Sequence, residues 1–160
     1  MGRIYSIVYQ GTITNAGGNV DLLELLPADD KPVKLRGILL SQTSEVGDAA
    51  EEGLRITIKR FQTPTSGSGG SSVTPRAMDS ADAAAGVAAE CANTTVATDA
   101  GTTQTLAELA WNIRQSPYEM WFPEERFCPK AKQGEALIVC QETTAADDYS
   151  GCFTFWVEEE

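Results

Sequence analysis

Apolar and polar side chains alternate with a period of two along most of this chain. A period of two belongs to half-buried strands, in which successive side chains leave opposite faces. The pattern is cleanest at 54–61, where Leu54, Ile56 and Ile58 alternate with Arg55, Thr57 and Lys59. At 3–9, Tyr5, Ile7 and Tyr9 share one face and Ile4, Ser6 and Val8 the other. An apolar run at 20–26 stops at Pro27-Ala28-Asp29-Asp30. From Lys31 to Gln42, Val33, Leu35 and Leu39 fall on one face and Lys34 and Arg36 on the other. Ile38 and Leu40 share the charged face, which predicts cover on both sides at the far end of that strand.

Strand patterns resume at Thr102–Gln115, where Leu109, Trp111 and Ile113 alternate with Ala110, Asn112 and Arg114. Tyr118–Phe122 carries three aromatics. Glu135–Gln141 is apolar on both faces, as a central covered strand should be. Cys152–Val157 is aromatic-rich, and Glu158-Glu159-Glu160 reads as a charged stop. No long helical period occurs. About eight strands in one chain of ordinary domain length predict a single all-β domain over 1–160, a β-sandwich of jelly-roll type.

One stretch breaks the pattern. From Thr63 to Gly101 large apolar residues are few, and Ser66-Gly67-Ser68-Gly69-Gly70 has the composition of a flexible linker. Ala83–Cys91 allows a short helix, weakened by Gly86. A loop this long inside a compact domain is functional or an extended arm. Its contact residues would be Val73, Pro75, Arg76, Met78, Val87 and Val96.

Charge and residue inventory limit the function. Acids outnumber bases by 23 to 12, giving a net charge of −11. A field of that sign repels phosphate backbones, so no nucleic-acid partner is expected. No histidine occurs, which removes Ser-His-Asp and Cys-His catalysis and the commonest transition-metal ligand. No P-loop or dinucleotide fingerprint is present. The expectation is therefore a protein without enzymatic activity, cofactor or metal. No run is long and apolar enough for a membrane helix, and the first residues enter a strand pattern rather than a leader, so no membrane partner is expected.

Cys91, Cys128, Cys140 and Cys152 contain no CxxC pair and are read as reduced thiols during synthesis or as two disulfides. If the last two strands form a hairpin, Cys140 and Cys152 come close together. Asp29, Asp30, Glu45, Asp48, Glu51 and Glu52 form either a solvated acidic rim or, if two loops converge, an oxygen-rich calcium site. Trp111, Trp121 and Trp156 are core residues or a sugar-stacking platform.

Several stretches act together as a signature: Pro27-Ala28-Asp29-Asp30-Lys31-Pro32-Val33, Val46-Gly47-Asp48-Ala49-Ala50-Glu51-Glu52, Ser66-Gly67-Ser68-Gly69-Gly70, Thr74-Pro75-Arg76, Asn93-Thr94-Thr95 and Trp121-Phe122-Pro123. In this order they resemble a family of small structural proteins of tailed bacteriophages, the head decoration or cement proteins. The resemblance covers most of the chain and rests on loop motifs without catalytic content. It implies a virion protein on the capsid surface, made in the host cytoplasm. It also implies the major capsid protein as partner and a homo-oligomer, a homotrimer at local threefold positions. The residues leave one alternative open, a carbohydrate- or receptor-binding module of a phage tail or fibre. An exposed aromatic row would favour that alternative.

Overall fold

The computed structural model describes residues 2–15, 17–44, 53–115, 117–142, 145 and 147–160. In chain order the strands are β1 (Arg3–Ile13), β2 (Val20–Leu26), β3 (Val33–Gln42), β4 (Gly53–Phe61), β5 (Pro64–Thr65), β6 (Ser71–Ser72), β7 (Arg76–Ala77) and β8 (Ala88–Cys91). They continue as β9 (Thr98–Asp99), β10 (Gln104–Asn112), β11 (Tyr118–Trp121), β12 (Lys130–Ala131), β13 (Ala136–Gln141) and β14 (Tyr149–Glu159). A 3-10 turn at Glu125–Phe127 precedes β12.

The first sheet runs β11-β3-β14-β1-β7, with β12 also on β3. The second runs β10-β4-β13-β2-β8-β6, and all pairs in both are antiparallel. The two sheets face each other across one apolar core, so the expected β-sandwich is the observed architecture. Tyr5 and Ile7 of β1, Phe153 and Phe155 of β14, Leu54 and Ile56 of β4 and Leu137 and Val139 of β13 fill that core. Trp111 packs edge-on against Tyr149 and Phe153, with ring centroids 6.1 and 6.2 Å apart, an arrangement that brings ring edges onto ring faces.

Among the described strands three bulges interrupt the simple alternation, two of them in the core-lining strands β3 and β2. Trp156 pairs with Gly37 and Val157 with Leu35, which leaves Arg36 as an extra residue on β3. A bulge resets which side chains face inward. Val33 and Leu35 point into the core before it, and Ile38 and Leu40 after it. Leu39 therefore lies on the outer face, contrary to the uninterrupted alternation expected from the sequence. On β2, Val139 pairs with Leu23 and Cys140 with Asp21, leaving Leu22 extra; Leu22 and Leu23 both join the core.

The stretch from Thr63 to Gly101 is laid against its own domain. β7 extends the first sheet at Tyr5 and Ser6, and β8 and β6 extend the second beyond β2. Val87, Ala89, Cys91 and Ala92 enter the main core. Val96 and Ala97 pack over the outer face of β13, against Phe61, Ile138 and Cys140. That third layer is why β13 is apolar on both faces. The Ala83–Cys91 stretch is extended rather than helical and ends in β8.

The glycines of 66–70 read differently in place. Gly69 sits at φ +83°, and a Cβ on Gly67 would lie 2.6 Å from the Thr95 carbonyl oxygen. They permit a close backbone approach rather than slack. The terminal glutamates are likewise structural. Glu158 and Glu159 are buried. Glu158 Oε1 accepts the Gly2 N–H at 2.9 Å, and Glu159 Oε1 accepts the Gly86 and Val87 N–H groups, both at 2.8 Å.

Candidate binding faces

The outer face of the first sheet is built from the outward residues of β1, β14, β3 and β11. Facing pairs put Val8 beside Thr154, Thr154 beside Leu39, and Leu39 beside Glu119. One register step away, Ser6 lies beside Trp156, Trp156 beside Gly37, and Gly37 beside Trp121. Gly37 has no side chain to fill its place, so Trp121 lies over it; a Cβ there would lie 2.6 Å from the Trp121 ring. The Trp121 and Trp156 rings stack with centroids 4.5 Å apart and planes 27° from parallel.

Val8 is 58% exposed, Met78 59% and Trp121 49%. A hollow of about 590 Å³, lined by Ile4, Arg36, Met78, Trp121, Phe122 and Trp156 among others, opens beside the stacked rings. From β1 across β14 to β3, Ser6, Val8, Gln10, Cys152, Thr154, Trp156, Leu39 and Ser41 carry no charge, and at the end of this strip Arg36 pairs with Glu158 at 3.5 Å, in a chain that carries −11 as a whole.

The sequence-selected residues divide unevenly around this face. Arg76 is exposed on β7, and Met78 follows it, its N–H donating to the Ile4 carbonyl at 2.9 Å. Both border the face. Pro75 is half-buried, Val73 is half-buried against the main core, Val96 packs into the third layer, and Val87 is buried. Of the tryptophans, Trp111 is a core residue while Trp121 and Trp156 make the outer stack. Gly37 and Val8 were not expected as site residues. Val8 did carry a signal, since it occupies the face of its strand opposite Tyr5, Ile7 and Tyr9.

A second polar feature lies under the third layer, on the outer side of β2. Asp21 Oδ2 accepts the Ala97 N–H at 2.6 Å, and Glu24 Oε2 accepts from Gly67 N–H and Asn93 Nδ2, both at 3.0 Å. Burial pushes the Asp21 carboxyl up to about 6, assisted by Glu24 and opposed by the Ala97 N–H, the Cys140 thiol and Lys59. Burial also drives the Cys140 thiol far above its ordinary value, with the Asp21 and Glu142 charges adding to it. Glu24 Oε1 and Asn93 Oδ1 are buried without a hydrogen-bond partner among the described residues. These groups tie the 63–101 stretch to the domain.

Asp29 and Asp30 precede β3, a ten-residue strand. Glu45, Asp48, Glu51 and Glu52 lie outside the described residues. Among the described residues no group of three or more histidines, cysteines, aspartates and glutamates is placed to hold a metal ion.

The four cysteines are free thiols. The expected hairpin of the last two strands does not form, because β13 belongs to the second sheet and β14 to the first. Cys140 faces the third layer and Cys152 the opposite outer face. No protein-family model, curated protein or solved structure matches the chain.

Proposed function

We propose that this protein is a non-catalytic structural protein of a virion, a decoration or cement protein that docks on the major capsid protein shell through the outer face of its first sheet. The carrying observation is a tryptophan-centred surface with an uncharged strip of β1, β14 and β3 residues beside it, bordered by Arg36 and Glu119, on a strongly acidic molecule. Interface cores are depleted of charge and enriched in aromatics and methionine, and Val8, Met78, Trp121 and Trp156 supply that composition. The strand order supports the jelly-roll reading. Four strands run β1-β14-β3-β11 in one sheet and four run β2-β13-β4-β10 in the other, so successive strands cross repeatedly between the layers. The resemblance of the loop motifs to phage decoration proteins supplies the partner. On a symmetric shell a homotrimer at local threefold positions gains avidity from repeated contacts.

In this reading the 63–101 stretch shapes the rim of the docking face through Arg76 and Met78. The experiment mixes purified protein with undecorated heads, sediments them and measures bound protein and heat resistance. Wild type should co-sediment and protect, and Trp121→Ser should lose about tenfold or more in affinity, as central aromatic anchors do. Failure of the wild type to co-sediment overturns the decoration role.

The stacked Trp121–Trp156 pair favours one second reading, a glycan-binding module of a tail or fibre, because an open aromatic face suits a sugar ring. Binding on a glycan array that Trp121→Ser abolishes, with no binding to heads, would select it.

A further inference from the structure

We infer that the free edge of β10, beside the 3-10 turn, is a docking groove for an extended acidic segment of another protein, one with apolar side chains between its carboxylates. β10 is nine residues long and ends the second sheet. Among the described residues no strand pairs with its far side. Near its start β10 contains a bulge: Thr105 pairs with Lys59 and Ala107 with Ile58. Leu106, the extra residue, is thrown outward and is 39% exposed. Phe127 on the neighbouring 3-10 turn is 65% exposed. Between them lies a hollow of about 950 Å³ whose lining includes four bases, Lys34, Arg60, Arg126 and Lys130, and two acids, Glu124 and Glu125.

Charge decides what fits. Lys34 is answered by Glu125 and Glu160, and Lys130 by Glu160. Arg60 is not: its guanidinium donates to the Gln104 side-chain oxygen and, at 3.1 Å, to the Lys130 carbonyl, both neutral, and no carboxylate pairs with it among the described residues. Among the described residues Arg126 pairs with Glu124 alone, at 3.9 Å, with both side chains largely in water. Two arginines thus stand poorly neutralised beside two exposed apolar side chains, in a chain of net charge −11.

An unpaired strand edge offers backbone N–H and C=O groups that another chain can complete. Carboxylates take up guanidinium in a two-pronged geometry. One ligand meets all three demands: a polypeptide strand with its carboxylates over Arg60 and Arg126 and an apolar residue between Leu106 and Phe127. A nucleic acid has no backbone to add to a sheet and would bring its many phosphates against the acidic remainder of the molecule. The C-terminal glutamates of a second copy do not serve, because they are held within that copy by Lys31, Lys34, Arg36 and Lys130.

The test uses the full chain and a labelled synthetic peptide alternating aspartate and leucine, read by fluorescence anisotropy. Controls are the same peptide with lysine for aspartate, and one with alternate backbone nitrogens methylated to block strand addition. The acidic peptide should bind, and both controls should bind about tenfold more weakly or worse, the loss expected when charge-assisted hydrogen bonds are removed. Arg126→Glu and Phe127→Ser, both at exposed positions that leave the fold intact, should each weaken the acidic peptide about tenfold. Absence of binding up to about 1 mM, equal binding of the lysine peptide, or unchanged affinity in both variants would overturn the inference.

Discussion

Single residues set the local chemistry of this domain through what lies above them. Asp21 is held beneath the third layer with its carboxyl pushed up to about 6 by burial. An acid whose folded-state value is raised takes up protons on folding between its unfolded and folded values. Its stabilising contribution is therefore complete below about pH 4 and lost as pH rises through 6. Asp21→Asn removes that titration while keeping an oxygen for the Ala97 N–H. The variant should gain stability relative to wild type as pH rises from 4 to 8, by on the order of 1–2 kcal/mol. Urea unfolding of both proteins at the two pH values checks this, and a difference that does not grow with pH would show that Asp21 is not the titrating group. Gly37 acts through absence. Gly37→Val places carbon atoms where the Trp121 ring lies, so the stacked pair should separate and its exciton signal in circular dichroism disappear. The cost in stability should be about 1 kcal/mol, because Trp121 is half in water. Retention of the signal would mean that the glycine does not seat the ring.

At the scale of elements, the 63–101 stretch shows where composition misleads. Gly and Ser are common both in slack linkers and where two backbones must touch, and the sequence does not distinguish the cases. Here Gly67 and Gly69 serve the second purpose. Excision of residues 66–92 would remove Val87, Ala89, Cys91 and Ala92 from the core and strip β8 from the second sheet. Burying a single valine is worth about 1.5–3 kcal/mol, and whole domains hold only about 5–15 kcal/mol. The deletion protein should therefore lose its cooperative unfolding transition and its near-ultraviolet aromatic signal; a two-state curve within about 1 kcal/mol of wild type would refute the dependence. Alternation alone made β4 and the inward face of β1 legible. It was insufficient at Arg36 and Leu22, because a bulge is fixed by pairing with another strand and leaves no mark on its own. The two-sided apolar pattern of β13 correctly announced a covered strand, but nothing local could say that the cover comes from Val96 and Ala97. The unformed β13–β14 hairpin is a similar case. Neighbouring strands usually pair, whereas in a sandwich the chain often crosses to the other sheet.

For the whole molecule, charge is distributed so that the two candidate faces should respond to salt in different ways. The outer face of the first sheet carries an uncharged strip from Ser6, Val8 and Gln10 across β14 to Leu39 and Ser41, with the Arg36–Glu158 ion pair at one end of it, on a chain that carries −11 as a whole. Docking there rests on desolvated apolar area, which salt does not screen. The β10 groove rests on Arg60 and Arg126, whose attraction for carboxylates falls as the Debye length shortens from about 10 Å at 0.1 M to about 3 Å at 1 M. Raising sodium chloride across that range should change head binding by less than about threefold and weaken the acidic peptide by about tenfold. A charge placed within the neutral face should act in the opposite sense. Val8→Asp sets a carboxylate beside Thr154, on a surface that must lose its water on docking, so head binding should fall more than tenfold while unfolding in urea stays within about 1 kcal/mol of wild type. Co-sedimentation and peptide anisotropy on the same preparations compare both effects directly. If head binding fell with salt as steeply as peptide binding, or if Val8→Asp left it unchanged, the neutral face would not be the surface that meets the shell.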